Sequence, residues 1–174
     1  MDKEPELSVD ERGLHEAAHA VAAIESRMLG ITVCLVHRRS QRGIPTDADI
    51  TYSCPVLDQE PSWGALQRRL FVVLAGPAWE AFGEVTDRTC QTALKKQRDD
   101  RLAALNIVRL LIRSGLQGED LKCVVRETWQ GVLELVTRSN QQIVAISAEL
   151  EHLDQLNDSQ IRLIYAQASS RLGV

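Results

Sequence analysis

The chain has 174 residues, of which 44% are hydrophobic and 25% charged, and its formal net charge at pH 7 is −4. This length and composition suit one globular domain and argue against a disordered chain. The slightly acidic balance gives no electrostatic reason to expect a nucleic-acid partner. No apolar run approaches the roughly 18 residues that cross a bilayer, so we expect no membrane span. Aromatic residues make up only 4% of the chain, which favours a core of packed helices.

The cysteines are few and scattered. They stand at Cys34, Cys54, Cys90 and Cys123, and no two form a CxxC pair. This spacing predicts neither a zinc knuckle nor a disulfide framework. Four reduced thiols are typical of a cytoplasmic protein, so we expect a cytoplasmic location.

The first predicted elements are a helix and a small hairpin. Ser8 and Glu11 have the spacing of a capping box, and Gly30 would end the helix that they begin. Residues 31–36 are rich in β-branched side chains and predict a strand. A second strand over 48–54 would complete a hairpin with a long, mobile tip over 37–45.

Helical patterns fill the remainder of the chain. A second helix is predicted over 61–83, and Pro77 should kink or split it. A third helix ends at Gly115, a longer helical pattern covers 119–153, and a last short helix to about residue 172 follows the capping residues Asn157, Asp158 and Ser159. The predicted fold is mainly α: a single helical domain over residues 1–174 with a small β-hairpin.

The first helix carries the motif HExxH, formed by His15, Glu16 and His19. Residues four apart lie one turn above each other, so both imidazoles can reach one Zn²⁺. Glu16 lies about 100° around the helix, where it can address a zinc-bound water without ligating the metal. Zinc lowers the pKa of that water to about 7, and the carboxylate accepts its proton as the water attacks a carbonyl. The motif therefore predicts a zincin-like helix with Glu16 as the base.

A short motif also occurs by accident, since two histidines four apart can simply face solvent. Three observations favour a metal site here. The chain contains only four histidines and two have this spacing, the segment is independently predicted to be helical, and its neighbours are small and apolar. Small neighbours allow other backbone to approach the metal closely.

A catalytic zinc needs a third protein ligand, and the residues alone leave it undecided. His37 and His152 are typical of surface positions. Asp100 heads an apolar helical stripe, where a carboxylate needs a partner, yet it would equally suit the exposed first turn of its helix. Glu80 follows a run of small residues and could be either a ligand or a group that orients a histidine.

Three blocks of the chain resemble the peptidase domain of the FtsH-type ATP-dependent zinc proteases, in the same order. Residues 15–23 resemble that family's HEAGHA helix. Residues 74–80, LAGPAWE, resemble its LAGRAAE block, and residues 99–107, DDRLAALNI, resemble its NDxxxATxxA block. Residues 140–156 are similar to its closing helices. Together these segments extend over most of the chain, and the first and third blocks are the most specific.

The resemblance implies that His15, His19 and Asp100 are the zinc ligands and that Glu16 is the catalytic base. It implies that Glu80 lies close to the site and orients a ligand without binding the metal. The strand near Val33 resembles the one that, in the family, lies beside the cleft and pairs with an extended polypeptide substrate.

The chain departs from the family pattern at several positions. Ala18 replaces a glycine, Pro77 an arginine and Leu105 a threonine, so the shape of the pocket is expected to differ. The sequence contains no P-loop, no ATPase module and no membrane anchor. We therefore expect ATP-independent peptide hydrolysis, or an ATPase or adaptor supplied by another chain. The family works as rings, which makes a homo-oligomer an expectation as well.

Two functions follow from these residues. The first is a zinc metalloendopeptidase that hydrolyses peptide bonds in unfolded or flexible polypeptides. The alternative is a catalytically inactive zinc-binding or protein-interaction module derived from the peptidase fold. The intact motif favours the first, whereas the changes at Ala18 and Pro77 keep the second open.

Overall fold

The computed structural model describes residues 9–36, 47–53, 62–82, 90–95 and 97–170. These residues form a mainly helical fold with a small antiparallel sheet, as the sequence predicts. The helices are α1 (Val9–Glu25), α2 (Trp63–Val73), α3 (Ala75–Phe82), α4 (Cys90–Leu94), α5 (Arg98–Arg113), α6 (Gly118–Arg138), α7 (Asn140–Leu153) and α8 (Asp158–Ser170). The strands are β1 (Leu29–Val36), β2 (Asp47–Ser53) and β3 (Gln155–Leu156).

Helix α1 lies at the centre of the fold, packed against α3, α7 and the sheet. Its fully buried apolar side chains are small, and they are Ala17, Ala18, Ala20, Val21, Ala22 and Ala23. Alanine lets neighbouring helices approach closely and costs no side-chain entropy on burial. Between residues 15 and 23 the side chains on every face of α1 are buried, including the polar side chains of its motif.

The end of α1 differs from the prediction. Arg27, with φ of 58°, adopts the left-handed conformation that ends the helix, and the Met28 amide donates to the Ala23 carbonyl at 2.9 Å. This is a Schellman arrangement, in which the chain turns before Gly30 is reached. Gly30 has φ of 61° but lies in β1, beside a shift in strand register. Ser8 lies outside the described residues, so its predicted cap is not tested.

The predicted hairpin is confirmed as an antiparallel pair of β1 and β2, and its tip over 37–46 lies outside the described residues. The sequence did not predict β3, which pairs with the other edge of β1 and gives the order β2-β1-β3. Val33 therefore has Ile50 on one side and Leu156 on the other. The backbone of Val33 therefore has a strand on each side, and the expectation that a substrate pairs with the strand near Val33 stays a prediction.

The predicted effect of Pro77 is confirmed, because the second helical segment is split into α2 and α3 at Leu74. Proline has no amide to donate and its ring crowds the carbonyl one turn earlier, so a continuous helix cannot pass this point. In the first turn of α3 the missing amide costs nothing. Gly83 lies outside the described residues. The split is important for the site, since it brings the backbone at Gly76 towards α1.

The later helices differ from the predicted ones in two details. The long pattern over 119–153 is two helices, interrupted at the buried Ser139, whose neighbour is Asn140. Such residues bond to nearby backbone in non-helical conformations and weaken a helix interior. Helix α4 was not predicted. By contrast, α5 ends before Gly115 as expected, and Asn157 caps α8 by accepting from the Gln160 amide at 3.1 Å.

Within the part of the chain that the structure describes, no helix combines the length and the apolar character needed to cross a membrane.

Candidate metal centre

Helix α1 presents His15 and His19 from one face into the interior. They are 6% and 3% exposed, and their Nε2 atoms lie 3.0 Å apart. Their spacing of four residues places the rings one turn apart, with an edge-on contact between them. Two buried imidazoles therefore direct the same ring nitrogen towards one point.

Asp100 reaches this point from the first turn of α5. Its Oδ2 lies 3.0 Å from His15 Nε2, and its Oδ1 lies 3.5 Å from His19 Nε2. The carboxylate side chain is 19% exposed. Asp100 heads the buried stripe of α5, which continues through Ala104, Ile107 and Leu111, as the sequence suggested. These contacts decide between the two alternatives for Asp100: it faces the histidines rather than solvent.

The opposite nitrogen of each ring is held by a fixed acceptor. His15 Nδ1 lies 2.6 Å from Glu80 Oε1, and His19 Nδ1 lies 2.7 Å from the Val72 carbonyl. A carbonyl oxygen can only accept, so the Nδ1 of His19 carries a proton, and the carboxylate of Glu80 favours the same tautomer for His15. The lone pair of each neutral ring is then on Nε2. Glu80 consequently orients His15 from the side away from Asp100 and is not itself one of the converging groups.

Gly76 in α3 provides the space next to these nitrogens. A Cβ placed on Gly76 would lie 2.3 Å from His15 Nε2 and 2.5 Å from His19 Nε2. Any larger residue would occupy the position that the two rings face, so the site depends on the missing side chain. Gly76 lies in the LAGPAWE block, but the sequence alone did not predict this role for it.

His15, His19 and Asp100 form a group whose ligand atoms lie within 4.8 Å of one another and could hold a metal ion. The structure thus brings together the three predicted ligands. It places Glu80 beside them and leaves His152 exposed at the end of α7. His37 lies outside the described residues.

Glu16, the predicted base, is buried and 8% exposed. Its negative charge raises the pKa of both His15 and His19, so the carboxylate lies within electrostatic reach of both rings. A buried carboxylate within electrostatic reach of both imidazoles is a candidate general base.

Without a metal ion, His15 and His19 bind protons more tightly than an ordinary histidine does, because the pKa of each is raised. Burial disfavours the charged form of His15, but hydrogen bonds to Asp100 and Glu80 outweigh burial and raise its pKa from 6.5 to about 10. The pKa of His19 is raised too, because the charge and hydrogen bond of Asp100 outweigh burial and the repulsion from His15. Burial alone would raise the pKa of Asp100, yet the two imidazoles hold it well below its usual range. Protons on the two imidazoles would therefore compete with a metal cation for the Nε2 atoms.

These pKa shifts predict how metal binding depends on pH. A metal must displace the protons on both rings, so we expect the apparent zinc affinity to rise by at least about tenfold per pH unit between roughly pH 6 and 9. The stability of the metal-free protein should change in the opposite direction. The favourable contribution of protonated His15 to the unfolding free energy is fully present below its unfolded pKa of 6.5. It is lost as the pH rises through the folded pKa of about 10. Competition with a chelating dye at several pH values, alongside urea unfolding of the metal-free protein, measures both. A zinc affinity that is independent of pH would contradict the prediction.

In comparisons with known proteins, no family model matches the sequence and no curated protein matches it significantly. The geometry of the site and its sequence motif therefore carry the functional argument.

Proposed function

We propose that this protein is a zinc-dependent metalloendopeptidase that hydrolyses peptide bonds in unfolded or flexible polypeptides. The observation that carries the proposal is the convergence of two imidazole nitrogens and one carboxylate on a single buried point. His15 and His19 come from one helix, and Asp100 comes from another. The sequence separates these groups by more than 80 residues, so only the fold unites them.

The ligand set favours zinc. Imidazole nitrogen and carboxylate oxygen are common zinc ligands, and a catalytic zinc has three protein ligands and an open position. Two ligands at tetrahedral angles around zinc are about 3.3–3.4 Å apart. His15 Nε2 lies 3.0 Å from His19 Nε2 and 3.0 Å from Asp100 Oδ2, while His19 Nε2 lies 3.5 Å from the other carboxylate oxygen, Oδ1. Small movements of these side chains would therefore give zinc its preferred distances.

The surrounding residues suit hydrolysis. When bound, zinc supplies Lewis acidity that lowers the pKa of water and polarises a carbonyl. The carboxylate of Glu16 would accept a proton from the attacking water and later give it to the departing amine. Glu80 and the Val72 carbonyl keep the Nδ1 atoms of the two histidines protonated, which leaves Nε2 available as a ligand.

A polypeptide substrate is supported by the sheet next to α1. In the described residues the sheet has the order β2-β1-β3, and β2 is the longer of its two edge strands, so its outer edge could accept an extended chain. Adding a strand to such an edge uses backbone hydrogen bonds and tolerates many side-chain sequences. That property suits an enzyme that cleaves unfolded or flexible segments.

We further propose that the fold is that of the FtsH-type peptidases, on the basis of the three sequence blocks. The blocks contribute the histidines on α1, Gly76 and Glu80 on α3, and Asp100 on α5. All of these residues lie at the candidate metal centre. A separate ATPase or adaptor and a ring of identical subunits belong to the same proposal.

A reconstitution experiment tests the proposed activity. The metal-free protein, prepared with a chelator, is incubated with a fluorescently labelled unfolded polypeptide before and after addition of one equivalent of Zn²⁺. We expect cleavage only in the presence of zinc, and none from a His19→Ala variant. Stoichiometric zinc binding without cleavage of any unfolded substrate would favour the non-catalytic module instead.

A further inference from the structure

Gln97, the residue immediately before α5, contacts Glu80, the carboxylate that orients His15. Its Nε2 donates to Glu80 Oε1 at 2.6 Å, and the same oxygen lies 2.6 Å from His15 Nδ1. A carboxylate oxygen can only accept when ionised, so both neighbours must be donors. A continuous chain of hydrogen bonds therefore runs from Gln97 through Glu80 to His15.

The side chain of Gln97 is not engaged in capping its own helix. Gln97 occupies the N-cap position of α5, with extended backbone, and makes no side-chain cap hydrogen bond. Its carbonyl accepts from the Arg101 amide at 3.0 Å, so its backbone is fixed by the helix. Asp100 follows three residues later, in the first turn. One helix end thus carries both the third ligand and the group that reaches Glu80.

We propose that Gln97 is a positioning residue of the metal centre, an inference that rests on the proposed zinc site. By donating to Glu80 Oε1, it fixes the carboxylate that orients the ring of His15. It also links α5 to α3, and through Glu80 to α1, so that the positions of Asp100 and His15 are set together.

Gln97 limits the rotation of the Glu80 carboxylate. The terminal torsion of glutamate is broad, so a carboxylate held by one donor can rotate. Two short hydrogen bonds to the same oxygen remove that rotation and fix the direction of His15 Nε2. Outer partners of metal ligands typically contribute 10–100-fold to metal affinity or activity. Gln97 acts one bond further out, so we expect an effect at the lower end, about tenfold.

The test compares three substitutions in the full chain. Gln97→Met keeps the length and removes the donor, whereas Gln97→Lys retains a donor. Gln117→Met is the matched control, because Gln117 is the N-cap of α6 and likewise makes no side-chain cap hydrogen bond. The readouts are zinc affinity by chelator competition, the visible absorption spectrum of the Co²⁺-loaded protein, and thermal unfolding of the metal-free protein.

We expect Gln97→Met to weaken zinc binding about tenfold and to change the Co²⁺ spectrum. Gln97→Lys should recover affinity, and Gln117→Met should resemble the wild type. If Gln97→Met does not fold, Gln97→Asn, whose amide is too short to reach Glu80, replaces it with the same expectation.

Other outcomes would overturn the inference. It is wrong if the donor-free variant binds zinc like the wild type, if the control is equally impaired, or if the lysine variant is as weak as the methionine variant. A change in metal-free unfolding without a change in zinc affinity or spectrum would show a purely structural role. Failure of the proposed zinc site is distinguishable, because the wild type itself would then bind no zinc. Failure of the peptidase activity alone would leave these zinc readouts unchanged.

Discussion

Substitution of Glu16 by glutamine should abolish peptide hydrolysis while zinc remains bound. The amide has the same shape as the carboxylate but cannot accept the proton of an attacking water. General base catalysis is worth about 10²–10⁴-fold, so we expect kcat to fall by at least that range. Zinc binding should persist, because the proposed ligands are His15, His19 and Asp100 and the buried position of Glu16 is refilled by an isosteric group. The measurements are kcat on an unfolded substrate and zinc content after dialysis.

Glu25→Gln provides a matched control on the same helix. Glu25 lies at the end of α1 and pairs with Arg138 at 2.8 Å and with the Tyr165 hydroxyl at 2.5 Å. Its loss should lower stability modestly and leave kcat unchanged. Full activity of the Glu16→Gln variant would contradict the assigned mechanism, whereas loss of zinc from that variant would show that Glu16 also supports the metal.

Substitution of Gly76 by alanine should remove zinc binding. The added Cβ would lie 2.3 Å from His15 Nε2 and 2.5 Å from His19 Nε2, closer than real contacts allow. Both rings would have to move away from the metal position. Since changes in the outer partners of ligands already cost 10–100-fold, we expect zinc affinity to fall by about 100-fold or more. Overpacking should also lower the unfolding free energy of the metal-free protein by about 1–3 kcal/mol.

Gly64→Ala is the control for this substitution. Gly64 is also helical, in α2, and a Cβ there would meet nothing within 4 Å. It should leave zinc binding unchanged and stabilise the fold by about 0.4–1 kcal/mol, because alanine restricts the unfolded chain. Calorimetric zinc titration and urea unfolding of both variants measure these effects. Tight zinc binding by Gly76→Ala would mean that the metal position is not where the rings converge.

The candidate site was predictable where its signal was local. The four-residue spacing of His15 and His19 within a helical pattern is enough to place both rings on one face. The sequence around Asp100 did not decide its role, since the first turn of a helix suits both a solvated carboxylate and a metal ligand. The resemblance to a known family implied the ligand role, and the structure places Asp100 beside both rings. The tertiary contact explains why periodicity alone could not settle the question.

The parts of the fold that sequence analysis missed depend on contacts between distant segments. Arg27, rather than Gly30, has the left-handed conformation that ends α1, although glycine adopts this conformation more readily than arginine does. Strand β3 has only two residues and exists because β1 offers an edge to it. Likewise, Gln97 and Glu80 meet because α3 packs against α1 while α5 packs against α2. Such contacts leave no periodic signal in the sequence.

The most direct test of the central claim is the metal content and coordination of the purified protein. Elemental analysis should give one zinc per chain, and X-ray absorption at the zinc edge should give nitrogen and oxygen neighbours at about 2.0–2.1 Å, two of them imidazoles. The variants His15→Ala, His19→Ala and Asp100→Ala should each remove the metal. Absence of zinc from the wild type after growth and reconstitution with zinc, or full retention by the Asp100→Ala variant, would contradict the account.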